Sequence, residues 1–163
     1  MPQSHIVESQ ASTTACGSIA VTSALEIRYK PSKPLDYLSI HNEVKLFTGG
    51  AKLDDIVKAL GVNKRNIRKS DVINKLNSGI PLVIIMRWNR LNSEMMASQH
   101  HLQQVERGDS SDNYHAMVII GYRDDGLIIE NSHGTFWGKD GTFLLPFELF
   151  NDDSQVKRVV EIY

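Results

Sequence analysis

A chain of 163 residues, 41% apolar and 23% charged, is long enough to bury a core and fits a single domain over residues 1–163. Its formal net charge of -1 draws in neither nucleic acid nor an acidic membrane, and its longest apolar run, Ala116 to Ile120, is too short to span a bilayer. One cysteine forbids an internal disulfide, and no basic-then-apolar segment opens the chain, so a reducing compartment is favoured.

Residues Pro2 to Thr14 are small and polar and read as an extended lead-in. A helix pattern starts near Cys16, with Ala20, Ala24 and Ile27 on one face and Val21 and Leu25 close by, and Pro31 and Pro34 end it. An apolar girth of this kind marks a buried central helix. Leu35 to Phe47 forms a second helical stretch, stopped by Gly49-Gly50. Leu53, Ile56, Val57 and Leu60 follow the 0, 3, 4, 7 pattern of a third helix, closed by Gly61. The basic residues Lys64, Arg65, Arg68 and Lys69 read as a solvated loop or helix face. Ser70 or Asp71 can cap a short fourth helix carrying Val72, Ile73 and Leu76, with Gly79 past its end.

Beyond this point the pattern changes to β. Pro81 to Trp88 is a β-type apolar run, and Asn89 to Asn113 reads as a long polar surface excursion with some helix. Tyr114 to Tyr122 forms a strand, Arg123 to Gly126 a turn, and Leu127 to Asn131 the returning strand. A turn over Gly138 to Gly141 leads to a strand at Thr142 to Leu145, and Gln155 to Tyr163 supplies a last one. Helices first and antiparallel strands second argue for an α+β fold with a helical half and a β half.

A lone cysteine is ordinarily an inert, buried residue. Cys16 differs by its place at the start of a helix, where unpaired N–H groups and the positive end of the dipole favour thiolate, and Gly17 and Ser18 leave room for a carbonyl. A thiolate nucleophile needs a base, and that base needs an orienting partner. Among the six histidines, His5, His41, His100 and His101 read as solvent-facing, and no metal-ligand spacing accompanies the His100-His101 pair. No metal or cofactor is therefore expected. His115 stands at the mouth of the most apolar strand, where an unplaced imidazole would be costly. The hairpin turn brings Asn131 back toward its level, with the register open by a few residues. There an amide oxygen can accept from one imidazole nitrogen and leave the other for Cys16.

Three segments, in order, resemble the papain-like cysteine peptidases. Gln10-Ala-Ser-Thr-Thr-Ala-Cys16-Gly-Ser-Ile-Ala20 is similar to the segment holding the oxyanion Gln and the nucleophile. His115-Ala-Met-Val-Ile-Ile-Gly-Tyr122 resembles the catalytic histidine strand, and the stretch from Ile129 through Asn131 and Trp137 to Phe143 resembles the Asn-Ser-Trp-Gly region. The resemblance implies a papain-like fold in which Cys16 attacks, His115 moves the proton, Asn131 orients His115 and Gln10 lends an N–H to the oxyanion hole. It also implies a structural Trp137 under the site, and a protein or peptide substrate without nucleic acid or membrane as partner.

Departures from the family pattern bear on substrate choice. Gly17 replaces the aromatic after the nucleophile, and His133 stands where the family carries the tryptophan that shields the His–Asn bond. The compact, disulfide-free form resembles bacterial effector or toxin domains, which act in a target-cell cytoplasm and can meet an inhibitor or immunity protein. Thiol peptidases that trim bacteriocin leaders or cell-wall peptides share the Cys-then-His order but usually differ in the third residue, against which Asn131-Ser132 argues. A glutamine deamidase or transglutaminase-like acyltransferase would use the same site, and a degenerate binding module would have lost its chemistry.

Overall fold

The helix predicted at Cys16 forms as α1, Cys16–Tyr29, in the computed structural model, which describes residues 16–30, 53–89, 92, 102–111, 113–131 and 141–163. The side chains of residues 16–18 lie outside that description. The lead-in, the stretch at Leu35 to Phe47 and the turn at Gly138 also lie outside the described residues. Helix α1 ends at Lys30, which adopts the left-handed conformation (φ 47°) and donates its N–H to the Glu26 carbonyl before Pro31. Helix α2, Leu53–Leu60, is closed by Gly61 at φ 69°. Helix α3, Val72–Asn77, follows a 3-10 turn at Lys69–Asp71. Asp71 holds the N-cap position without a side-chain cap bond, because Arg68 takes its carboxylate at 3.0 Å. A short helix α4, Phe147–Phe150, follows late in the chain, and Asn92 is also helical.

The strands are β1 (Lys64–Ile67), β2 (Leu82–Arg87), β3 (Tyr114–Arg123), β4 (Gly126–Glu130), β5 (Thr142–Pro146) and β6 (Val156–Ile162). They form one antiparallel sheet in the order β1-β6-β2-β3-β4-β5. β1 departs from the reading of its basic residues as loop or helix, because pairing with β6 makes it a sheet edge. Its charges are matched: Lys64 pairs with Asp54, Arg65 with Glu161, and Lys69 just beyond pairs with Asp153.

Both faces of the sheet are covered. On one face Ala20, Val21 and Ala24 of α1 and Ile56 of α2 pack with Val83, Val118, Val160 and Ile162. On the other, Val72 of α3 and Leu149 and Phe150 of α4 pack with Leu82, Ile84, Met86, Met117, Ile119 and Phe143. A strand buried on both sides has no polar face, which is why β2 and β3 read as continuous apolar runs. The β3–β4 hairpin needs Gly126, since a Cβ there would stand 2.3 Å from the Leu145 carbonyl oxygen.

The excursion after β2 is tied down where it is described. Asn92 accepts from the Glu106 N–H and donates to its carbonyl, and Gln155 does the same to Gly108 at 2.8 Å in each direction. Two amide side chains thus stand in for strand partners. Val105 is buried, its N–H bound to the Leu144 carbonyl, so this segment lies along β5. Most of its described residues are exposed, as expected of a polar surface excursion, and its backbone is held at these points.

A buried carboxylate fastens α1 to the sheet. Glu161 on β6 has a side chain 1% exposed and meets Arg28 of α1 at 2.9 Å, Lys75 of α3 at 2.8 Å and Arg65 of β1 at 3.4 Å. Burial alone would raise its carboxyl, but the bonds from Lys75 and Arg28 and the charges of Lys75 and Arg65 outweigh that and hold it below 4.5. Glu161→Ala should cost about 3 kcal/mol, the lower end for a broken buried pair, because its cations reach solvent. A group with a depressed native pKa stabilises above its unfolded value and ceases to as pH falls. The gap between wild type and Glu161→Ala in urea unfolding should therefore be full above pH 4.5 and shrink below it.

Candidate active site

Asn131 follows β4 directly, and its relation to His115 depends on one irregularity. From the turn, Arg123 pairs with Gly126 and Tyr122 with Leu127; continued unbroken, that register would set Asn131 opposite Val118, both on the face of Leu127 and Ile129, and would turn His115 to the α1 face. A bulge intervenes. Ile119 pairs with Ile129 and Gly121 with Ile128, leaving Ile120 as the extra residue on β3. Beyond it Val118 pairs with Glu130, so Asn131 falls on the same face as Met117 and His115. The side chains then meet, His115 Nε2 lying 2.8 Å from Asn131 Oδ1.

An amide oxygen can only accept, so Nε2 carries the proton and any second partner must take Nδ1. Asn131 is 1% exposed and its N–H donates to the Gly141 carbonyl at 2.8 Å, which fixes the acceptor from behind. Burial lowers the His115 pKa below 6.5, while the Asn131 bond works in the opposite direction.

Cys16 opens α1, and the packing sets the level of that helix end. Ile27 near the other end of α1 lines a shared cavity with Ile120 and Gly121, and Arg28 donates to the Ile162 carbonyl at 2.7 Å. Ala116 and Val118 join Ala20 and Ala24 in one cluster, so the helix runs back along β3 toward its first residues. Eleven residues of helix from Ile27 to Cys16 cover about 16 Å. Five residues of strand from Ile120 to His115 cover about the same. The N-terminus of α1 therefore lies level with the mouth of β3. Gln10, His133 and Trp137 lie outside the described residues.

Trp88 was not singled out in the sequence. Met86 pairs with His115, so Trp88, two residues on, is the diagonal neighbour on the same face. Its ring centroid lies 5.4 Å from that of His115 at 41°, and 5.4 Å from that of Phe143 at 53°. The only hint in the sequence is a tryptophan ending an apolar run; the pairing of β2 with β3 is what gives it a role.

A nucleophilic residue type at a helix N-terminus beside a sheet carrying an oriented imidazole is the architecture of the papain-like cysteine peptidases. Solved structures with this fold include xylellain, a cysteine protease from Xylella fastidiosa, at a TM-score of 0.77 and 17% identity over 98% of this chain and 83% of that one. Bromelain from Ananas comosus matches at 0.73 and 16%, over 97% and 93% of the two chains. The Carica candamarcensis protease CMS1MS2 matches at 0.72 and 15%, over 97% and 92%. Residues 3–143 match the model of the peptidase C39-like family, and the chain belongs to that family. The matched span takes in Cys16, His115 and Asn131 alike. No curated protein sequence matches the chain.

Proposed function

We propose that this chain hydrolyses peptide bonds in a protein substrate through an acyl-enzyme on Cys16. The observation that carries the reading is the His115–Asn131 bond of 2.8 Å, which holds the imidazole with its proton on Nε2. Cys16 Sγ attacks the carbonyl carbon as thiolate, and the negative charge moves to the carbonyl oxygen. Gln10 and the Cys16 N–H stabilise that oxyanion. As the tetrahedral intermediate collapses, the C–N bond breaks and the Nδ1 proton of His115 passes to the leaving amine. Water, deprotonated at the same nitrogen, then attacks the thioester, releasing the carboxylic acid and restoring the thiolate with the proton back on Nδ1. Trp137 would support the site from below. No cofactor is required.

The fold and family are those of cysteine proteases, and bromelain and CMS1MS2 were solved with E-64 bound. An epoxysuccinyl reagent of that class should add once, at Cys16, within minutes at pH 7, as read by peptide mass spectrometry. A lysate treated with wild type but not with Cys16→Ala should then gain new N-termini. A Cys16 that reacts no faster than free cysteine would refute the activated pair. Ammonia release without new N-termini would replace peptide hydrolysis by glutamine deamidation on the same thiol.

A further inference from the structure

In the papain-like pattern the indole that keeps water from the His–Asn bond comes just after the Asn, where this sequence has His133. The described structure supplies an indole from another strand. Trp88, 8% exposed, lies against the His115 ring on the face it shares with Asn131, and Phe143, fully buried on β5, backs it. β5 also anchors this corner, because Phe143 pairs with Ile129, two residues before Asn131. The Trp88 N–H donates to the Asn113 carbonyl at 2.8 Å, which fixes the backbone at the end of β2 beside the strand that begins with Tyr114 and His115.

We propose that Trp88 is the positioning residue that excludes water from the His115–Asn131 bond, in place of a tryptophan at position 133. A hydrogen bond screened from water is stronger and holds its geometry better, because no solvent dipole competes for donor or acceptor. The indole is aromatic on both faces, so it can pack on the imidazole and on Phe143 at once. Its contribution to turnover rests on the peptidase reading above; its shielding of the bond does not.

The test reads the proton itself. In protein with labelled histidine, the His115 Nε2–H should give a resolved resonance that exchanges slowly with water near neutral pH. Trp88→Ala should speed that exchange about tenfold or more, and Trp88→Phe should keep most of the protection. Turnover of Trp88→Ala should fall about tenfold in kcat with KM nearly unchanged, the rate equivalent of one net hydrogen bond. Trp88→Phe should recover most of it. Unchanged exchange in folded Trp88→Ala, or a Trp88→Phe as impaired as Trp88→Ala, overturns the proposal. So does a wild-type Nε2–H that exchanges as freely as imidazole in solution, whatever the variants do. Exchange can be measured in a Cys16→Ala background, so the shield can fail while epoxysuccinyl labelling stands, and the reverse.

Discussion

Cys16→Ala should retain the fold and lose peptide hydrolysis by ~10³-fold or more, since removing the nucleophile removes the acyl-enzyme itself. Alanine at the start of α1 is a strong helix former, so thermal unfolding should shift little. The loss would then be chemical. In wild type the same thiol should alkylate with a pH profile rising well below the ~8.5 of free cysteine, because the helix N-terminus and His115 both favour thiolate. His115→Ala should move that profile back toward the free value. Wild-type cleavage by a clean Cys16→Ala preparation would end the peptidase assignment.

Asn131 and Gln10 should prove necessary by different routes. Gln10 is assigned to a charge that exists only as the transition state develops, so Gln10→Ala should lower kcat about 10²-fold with KM and Cys16 alkylation little changed. Asn131 is the acceptor for His115 Nε2, so Asn131→Ala should slow both hydrolysis and alkylation. It should also destabilise the fold by about 1–3 kcal/mol, the cost of a buried donor left without its acceptor. Equal effects of the two substitutions on alkylation would show the roles to be misassigned.

The imidazole itself gives an independent reading. In Cys16→Ala protein, where no thiolate can favour the imidazolium, His115 should titrate below 6.5 because its burial outweighs the Asn131 bond. Asn131→Ala removes a contribution that raises it, so the titration should move lower still. The sign for stability follows: this histidine's contribution is full above about pH 6.5 and is lost as pH falls, because the unfolded chain takes the proton first. A His115 titration above 6.5 in Cys16→Ala protein would contradict the burial.

Much of the fold was legible because burial leaves a periodic trace. The apolar stripe from Ala20 to Ile27 marked α1, Leu53 to Leu60 marked α2, and the runs from Pro81 and Tyr114 marked strands buried on both faces. What periodicity missed was held by other means. β1 is polar, and is a strand because β6 pairs with it and acids meet its charges. The segment at residues 102–109 lies at the surface as its polarity indicates, and what the sequence did not show is that the amides of Asn92 and Gln155 hold its backbone.

For the site, the sequence by itself determined the residue types and their order: a lone cysteine opening a helix, a histidine opening an apolar strand, an asparagine closing the hairpin that follows. Those are local facts, set by residue chemistry and by how far a turn can carry the chain. The tertiary structure alone decided which side chains share a face. One extra residue, Ile120, reverses the alternation of β3, and with an unbroken register His115 would face α1 instead of Asn131. The pairing of β2 with β3 likewise brings Trp88 to the imidazole across 26 residues of intervening chain, 89 to 114. Register between strands is set by the sum of many packing and hydrogen-bond energies over the whole sheet, and no window of sequence contains that sum.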